Sequence, residues 1–286
     1  MKPPDTQIAL NDLVNVQKYP IYGRDDPLLQ EKIGAFREEL ELTGCAVIRD
    51  FIRPERIEVL QNESRQLSRF AYFSHRKVNP YATQEDLSLN PDDPRRTFQA
   101  FSNGFVARDV IPPGSITSQL YHDLAFQRFV ADVLNLTTIH EYADPIAGLV
   151  INVMPDGSAL PWHFDTNDFV VSLLTIKPDD GGLFEYCNGL RSQHNENFPT
   201  VKSVLNGDRK RVVSLELQPG DVQLFKGRNS LHRVTSTTGE RHTLLFGYAT
   251  QPGVIGRAER TRVVYGRVHK AHLEAEARSR ADGLLD

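Results

Sequence analysis

Apolar positions change their spacing along the chain, and the change divides it into three zones. Near the start, Pro27 is placed for a first helical turn, and Leu28, Leu29, Ile33, Phe36 and Leu40 recur at helical spacing. Gly44 is placed to end that helix, and the apolar CAVI that follows reads as a short strand. Pro54 then opens a second helix with Ile57, Leu60, Leu67 and Phe70 as its apolar stripe. From about residue 71 to about 116 the pattern breaks. SHRKVNPYATQEDLSLNPDDPRR and VIPPGS are interrupted by proline and polar residues, and a long irregular segment of this kind is expected to act as a lid over a pocket. A helix with Leu120, Leu124, Phe129, Val130 and Val133 inward is expected over about 117–135.

The third zone, about 137–252, reads as strands. GLVINVM, FVVSLLTI, GLFEYC, RVVSLEL, DVQLF and HTLLFGYA are rich in β-branched and aromatic residues and are punctuated by Gly, Pro, Asn and Asp. No helical pattern separates them, so antiparallel sheets are expected, in a sandwich or barrel with the jelly roll among the options. The expected class is mainly β with flanking helices (α+β). A helical N-terminal part (1–136), a β core (137–252) and a C-terminal extension (253–286) would form one domain. AHLEAEARSRA is expected to be a helix in that extension.

Composition narrows the picture by exclusion. With 286 residues, 40% hydrophobic and 24% charged, the chain resembles an ordinary globular protein. A formal net charge of −4 gives no electrostatic footprint for nucleic acid or an anionic membrane. Cys45 and Cys187 read as reduced buried thiols. The N-terminus lacks the apolar run of a signal peptide and no stretch approaches a membrane span, so a cytoplasmic protein is expected. The expected partner is a small-molecule substrate, and a homodimer is left open.

The chemistry concentrates in Trp162-His163-Phe164-Asp165. Residues two apart on a strand share a face, so His163 and Asp165 can present an imidazole and a carboxylate to one point. A later histidine would complete a 2-His-1-carboxylate set that leaves positions open on a non-haem Fe(II). Alone, His-x-Asp is unspecific, and His194-x-Glu196 and His272-x-Glu274 are rivals. His194 lies in a polar loop, however, and His272 on an expected helix, where residues two apart diverge. His232 follows the turn PGD and the strand VQLF, and Arg241 opens the next strand. A guanidinium there is suited to a carboxylate.

Together, His163-x-Asp165, PGD, His232 and Arg241 resemble the Fe(II)/2-oxoglutarate-dependent oxygenase superfamily over about residues 145–250. WHFDTNDFVVSLLTI, GGLFEY, LRS and GERHTLLFGYA resemble its bacterial branch of free amino-acid hydroxylases and lysine radical halogenases. The resemblance implies a double-stranded β-helix, a distorted, cupin-like jelly roll. It implies Fe(II) on His163, Asp165 and His232, 2-oxoglutarate as cosubstrate with its far carboxylate on Arg241, and O2 as oxidant. In the halogenases of that branch Gly replaces the carboxylate ligand and chloride takes the vacated position. Asp165 therefore implies hydroxylation of an sp3 C–H, with a free amino acid as the first expectation. The alternatives are the same cofactor chemistry on another metabolite by desaturation or cyclisation, a metal-binding jelly roll without turnover, and a zinc hydrolase.

Other residues carry weaker expectations. Asn152 is expected toward 2-oxoglutarate or substrate. Arg96, in preference to Arg95, is expected to meet a substrate carboxylate, although an ion pair with Asp92 or Asp93 competes. Thr166, Asn167 and Asp168 are expected at the mouth of the site. Trp162 is a substrate contact or, more often for such a residue, core. Glu141 and Asp144 are open between substrate and structure. His122, His140 and His242 read as structural or surface residues, and Tyr265 and Arg267 as able to fold back on the pocket.

Overall fold

The computed structural model describes residues 9–275. The amphipathic N-terminal stripe folds largely as its spacing predicts. After a single turn, α1 (Leu10–Leu13), helix α2 runs Pro27–Thr43. Asp26 caps it by accepting the Leu28 N–H, and Gly44 ends it at φ +74°, a left-handed position that favours glycine. Leu29, Ile33 and Leu40 are buried, whereas Leu28, one position off the stripe, is exposed. Strand β1 (Cys45–Ile48) is buried throughout, and α3 (Ile57–Ser68) follows a 3-10 turn that starts at Pro54. Phe70, expected inward, lies beyond the end of α3 and is exposed.

The segment expected to be an irregular lid contains four short strands: β2 (Tyr72–Phe73), β3 (Arg76–Val78), β4 (Gln99–Phe101) and β5 (Gly104–Val106). Its middle, 79–98, is the irregular part. The helix expected over 117–135 is two helices, α4 (Ile116–His122) and α5 (Leu124–Val133). Asp123 separates them, because its carboxylate caps the Ala125 and Phe126 N–H groups and restarts the chain. The break turns Leu124 out to solvent.

The core strands are β6 (His140–Glu141), β7 (Leu149–Met154), β8 (Leu160–His163), β9 (Val170–Ile176), β10 (Asp180–Gly181) and β11 (Phe184–Cys187). Helix α6 (Phe198–Leu205) interrupts them, against the expectation of an uninterrupted strand region. Then come β12 (Val213–Leu215), β13 (Val222–Phe225), β14 (Leu231–Val234), β15 (Thr237–Thr238), β16 (Arg241–Phe246) and β17 (Tyr248–Ala249), followed by α7 (Ala258–Tyr265) and α8 (Lys270–Ala275). The rest of the expected terminal helix lies outside the described residues.

Two antiparallel sheets carry the architecture. The larger has the order β1-β13-β9-β16-β7-β5-β2, and the smaller β12-β11-β14-β8. Strand alternation sorts their side chains. Ile151, Val171, Leu224, Leu244 and Phe246 of the larger sheet pack outward with Leu60, Phe126 and Phe129 of the helices. Met154, Leu174 and Phe225 point the other way and meet Phe184, Tyr186 and Val234 of the smaller sheet. The outer face of the smaller sheet is covered by α6 through Trp162, Leu231, Val201 and Val204. The fold is mainly β with flanking helices. Both cysteines are free and buried. No helix among the described residues is long and apolar enough to cross a membrane.

The C-terminal extension is tied down by a buried hydrogen bond. His272 Nε2 lies 3.0 Å from Asp144 Oδ2, and neither side chain is exposed. Asp144 also accepts the N–H groups of Ile146, Ala147 and Gly256. Asp144 is thus structural, and Glu141 is too, bonding His122 and Gln127. Removing one side of such a network strands the other without partners. Asp144→Ala is predicted to cost about 2–4 kcal/mol in urea unfolding. It should also make the chain beyond residue 250 cleavable by protease under native conditions, whereas wild-type resistance in the variant would contradict this.

Candidate metal centre

The site is built by cross-strand register. In the β14–β8 pair His232 stands directly opposite His163, and directly opposed residues share a face. His232 is also opposite Tyr186, which points into the space between the sheets, so both imidazoles do too. Their ring centroids are 4.0 Å apart. Asp165, just past β8, brings its carboxylate 3.2 Å from His232 Nε2 and 3.7 Å from His163 Nε2. Among the described residues, His163, Asp165 and His232 are the set of three donors close enough to hold one metal ion.

The donors are prepared for a metal. His163 Nδ1 donates to the Pro161 carbonyl at 2.8 Å and His232 Nδ1 to the Ser230 carbonyl at 3.0 Å. With the proton held on Nδ1, each Nε2 lone pair is left for a cation, the usual second contact of a metal-binding histidine. Burial, then the neighbouring His232, pushes the His163 pKa down to about 3, so its imidazole is neutral at physiological pH. Burial acts to raise the Asp165 pKa, but the closeness of His232, and then of His163, outweighs it and holds the group a carboxylate. Two imidazoles and one carboxylate, with no thiolate, are the donors of a facial-triad Fe(II) site.

Three further residues, Gly227, Arg191 and Arg228, shape the Asp165 loop, and in the sequence only the string LRS touches any of them. The Asp165 N–H donates to the Gly227 carbonyl at 3.2 Å. A β-carbon on Gly227 would overlap the Asp165 carboxylate, so only glycine leaves the ligand its place. The Arg191 guanidinium lies 4.1 Å over the Phe164 ring and donates to the Asp165 carbonyl at 3.5 Å. Arg228 donates to the Thr166 carbonyl.

Arg241 comes from the opposing sheet. It stands across from Met154 on the inner face, with Thr243 across from Asn152 on the same side. Only 4% of Arg241 is exposed. Its Nη1 donates to Thr243 Oγ1 at 2.6 Å, its Nε is buried without a partner, and no carboxylate among the described residues pairs with it. Burial alone lowers its pKa to about 10. Leaving a guanidinium buried and unpaired costs several kcal/mol, so the position is built for an incoming anion. Asn152 is inward and buried, and its amide reaches the Gly104 carbonyl at 3.4 Å. His242 faces the other way, to Ser64 of α3.

The remaining expectations divide. Thr166 and Asn167 are half-buried just after the triad, and Asp168 is exposed. Trp162, expected as a substrate contact, alternates to the far face of β8 and packs in the α6 core with Arg233 over its ring. Arg96, expected on a substrate carboxylate, donates instead to the Leu89 carbonyl within its own loop. Arg95 pairs with Asp93. Tyr265 packs with Ala107, Ile146 and Val150, and Arg267 pairs with Asp109.

Residues 28–260 match the Halogenase D family, and the chain belongs to it. No curated relative matches. Among solved structures the chain is similar to an oxidoreductase of the 2OG-Fe(II) oxygenase family from Burkholderia pseudomallei. The two are 16% identical, with 78% of this chain and 92% of that one covered and a TM-score of 0.51. It is also similar to AviO1 from Streptomyces viridochromogenes Tue57, at 16% identity, 77% and 95% coverage and a TM-score of 0.50. At these identities the likeness shows a shared fold, which agrees with the oxygenase architecture expected from the sequence. Gly227→Ala is predicted to weaken Co(II) binding about 10–100-fold in an optical titration while leaving the far-ultraviolet spectrum unchanged. Undiminished Co(II) affinity would remove Asp165 from the ligand set.

Proposed function

We propose that this protein is an Fe(II)- and 2-oxoglutarate-dependent oxygenase that hydroxylates an sp3 C–H of a small polar substrate, with a free amino acid the first choice. The two facing antiparallel sheets are read as the double-stranded β-helix of that class. The observation that carries the reading is the pairing of two features across one interior: the His163/Asp165/His232 cluster on one sheet and the uncompensated, buried Arg241 on the other. A metal-binding module without turnover has no use for that cation, and a 2-oxoglutarate carboxylate satisfies it.

His163, Asp165 and His232 would hold Fe(II), leaving coordination positions for the keto acid end of 2-oxoglutarate and for O2. Bound together, the metal and cosubstrate supply oxygen activation and removal of hydrogen from the substrate. The chain supplies the rest. Arg241, anchored by Thr243, fixes the far carboxylate of the cosubstrate and so its rotation about the metal. Asn152 offers an amide on the same inner face. Met154, Phe184 and Phe225 make the surroundings apolar and keep water away.

Asp165 supports one of the two outcomes the family name raises. Its carboxylate lies within reach of both imidazoles and fills the position that a halide would need, which favours hydroxylation over chlorination. The test is succinate release from 2-oxoglutarate across a panel of amino acids and other metabolites, with mass spectrometry of the products. A stimulating substrate should gain one oxygen atom and no chlorine, even with chloride in excess. A chlorinated product from the wild-type protein would overturn the hydroxylase reading.

Two substitutions separate the roles. Asp165→Ala should lower product formation by about 100-fold or more through loss of metal. Arg241→Gln should raise the KM for 2-oxoglutarate by about 10–100-fold, the loss of a charge-assisted bidentate contact, while the metal affinity stays as in the wild type. An unchanged KM would contradict the assignment of Arg241.

A further inference from the structure

Arg241 is held in place by more than the strand that carries it. The residues on either side of it in the chain, Glu240 and His242, are gripped by consecutive residues of α3, which packs across β9 and β7. Ser64 Oγ lies 3.1 Å from His242 Nδ1, and Arg65 Nε pairs with Glu240 Oε1 at 3.1 Å. His242 Nε2 faces the other oxygen of Glu240 at 3.4 Å. Both flanks of Arg241 are thus tied to one turn of one helix.

The pairing of β16 with β9 shifts at the same place. His242 stands opposite Ile176, but Thr243 stands opposite Leu174, so Thr175 is an extra residue on β9. On its other side β16 pairs with β7 without a break from Arg241 to Phe246. A bulge of this kind bends its strand and re-aims the side chains beside it. Here Thr175 Oγ1 donates to the His242 carbonyl at 3.2 Å, and Ser64 Oγ, 3.1 Å from Thr175 Oγ1, joins it to the imidazole of the same residue. Two hydroxyls therefore hold His242 by its backbone and by its ring. Ser64 and His242 have no exposed surface and Thr175 has 1%. Around them Leu60 and Leu67 of α3 belong to the same apolar core as Ile151, Leu173 and Leu244 of the sheet. Polar groups are costly to bury there unless paired, and apolar residues of the same shape would hold α3 on the sheet about as well. Apolar residues would not bond the His242 carbonyl or pin the shift in register. That shift falls between Arg241 and Thr243, whose side chains meet at 2.6 Å on the inner face.

We propose that Thr175, Ser64 and His242 form a brace that positions Arg241 for the far carboxylate of 2-oxoglutarate. This deepens the oxygenase reading and rests on it. The three are positioning residues: they lie on the α3 side of the larger sheet, and they act on the cosubstrate through the backbone of β16. Arg65 and Glu240 are each about half exposed and add little by themselves. The buried hydroxyls carry the effect, because they set the direction in which Arg241 leaves the strand.

The experiment titrates 2-oxoglutarate into the full-length protein loaded anaerobically with Fe(II) and reads binding by the visible iron-to-cosubstrate charge-transfer band. Thr175→Val keeps the shape of the side chain and removes its hydroxyl, and Ser64→Ala removes the bridging one. Each should weaken 2-oxoglutarate by about tenfold, with Co(II) affinity and the far-ultraviolet spectrum as in the wild type. Thr175→Ser restores a hydroxyl and should return the affinity to within about threefold of the wild type. In an Arg241→Gln background, Thr175→Val should change the affinity by less than about twofold, because the group it positions is gone. Wild-type affinity in both Thr175→Val and Ser64→Ala, no recovery in Thr175→Ser, or full additivity with Arg241→Gln would overturn the brace. Loss of Co(II) binding in both hydroxyl variants would show a collapsed site instead of a re-aimed arginine and would overturn it too. Absence of the band from the wild-type protein would overturn the cofactor reading and the brace with it, whereas a wild-type band with unaffected variants would overturn the brace alone.

Discussion

The antiparallel register of β14 on β8 is the constraint on which the site depends. It sets His232 opposite His163 and turns both rings into the space between the sheets. A slip of one residue would move both imidazoles to the α6 face, where Trp162 and Leu231 now pack. The same apolar residues that forbid the slip thereby hold the metal donors in place. Bonds from each Nδ1 to a carbonyl two residues back then set the tautomer, so ligand orientation is settled by backbone already committed to the sheet.

Electrostatics give the interior its direction. The smaller sheet offers one carboxylate and two imidazoles, and the larger sheet offers a buried guanidinium with a hydroxyl as its partner. Neither arrangement is stable in isolation: three close donor atoms favour a cation, and Arg241 favours an anion. A divalent metal and a dicarboxylate together satisfy both. The chain spends folding free energy to keep these positions open, as expected where function takes precedence over stability.

What could be read without coordinates was what short-range physics governs. The start and stop of α2 followed from Pro27 and Gly44, and the strands followed from β-branched runs between turn residues. His163, Asp165, His232 and Arg241 were legible because alternation on a strand and the turn at Gly220-Asp221 fix which side chains share a face. Long-range pairing hid the rest. Nothing local marks Gly227 as the floor under Asp165, or Arg191 as the group over Phe164. Arg96 was read toward a substrate because nothing local shows that the folded chain places the Leu89 carbonyl next to it. The split at Asp123 was missed because an apolar stripe runs through it, and α6 because eight residues carry little periodic signal.

The central claim is that one metal binds the two histidines and Asp165 while 2-oxoglutarate completes its coordination. X-ray absorption spectroscopy of the anaerobic Fe(II)-loaded protein, with and without 2-oxoglutarate, addresses it directly. The predicted result is a six-coordinate iron with two imidazole nitrogens and otherwise oxygen ligands, whose water is displaced by a chelating keto acid when 2-oxoglutarate is added. A four-coordinate site, or a spectrum indifferent to 2-oxoglutarate, would contradict the account.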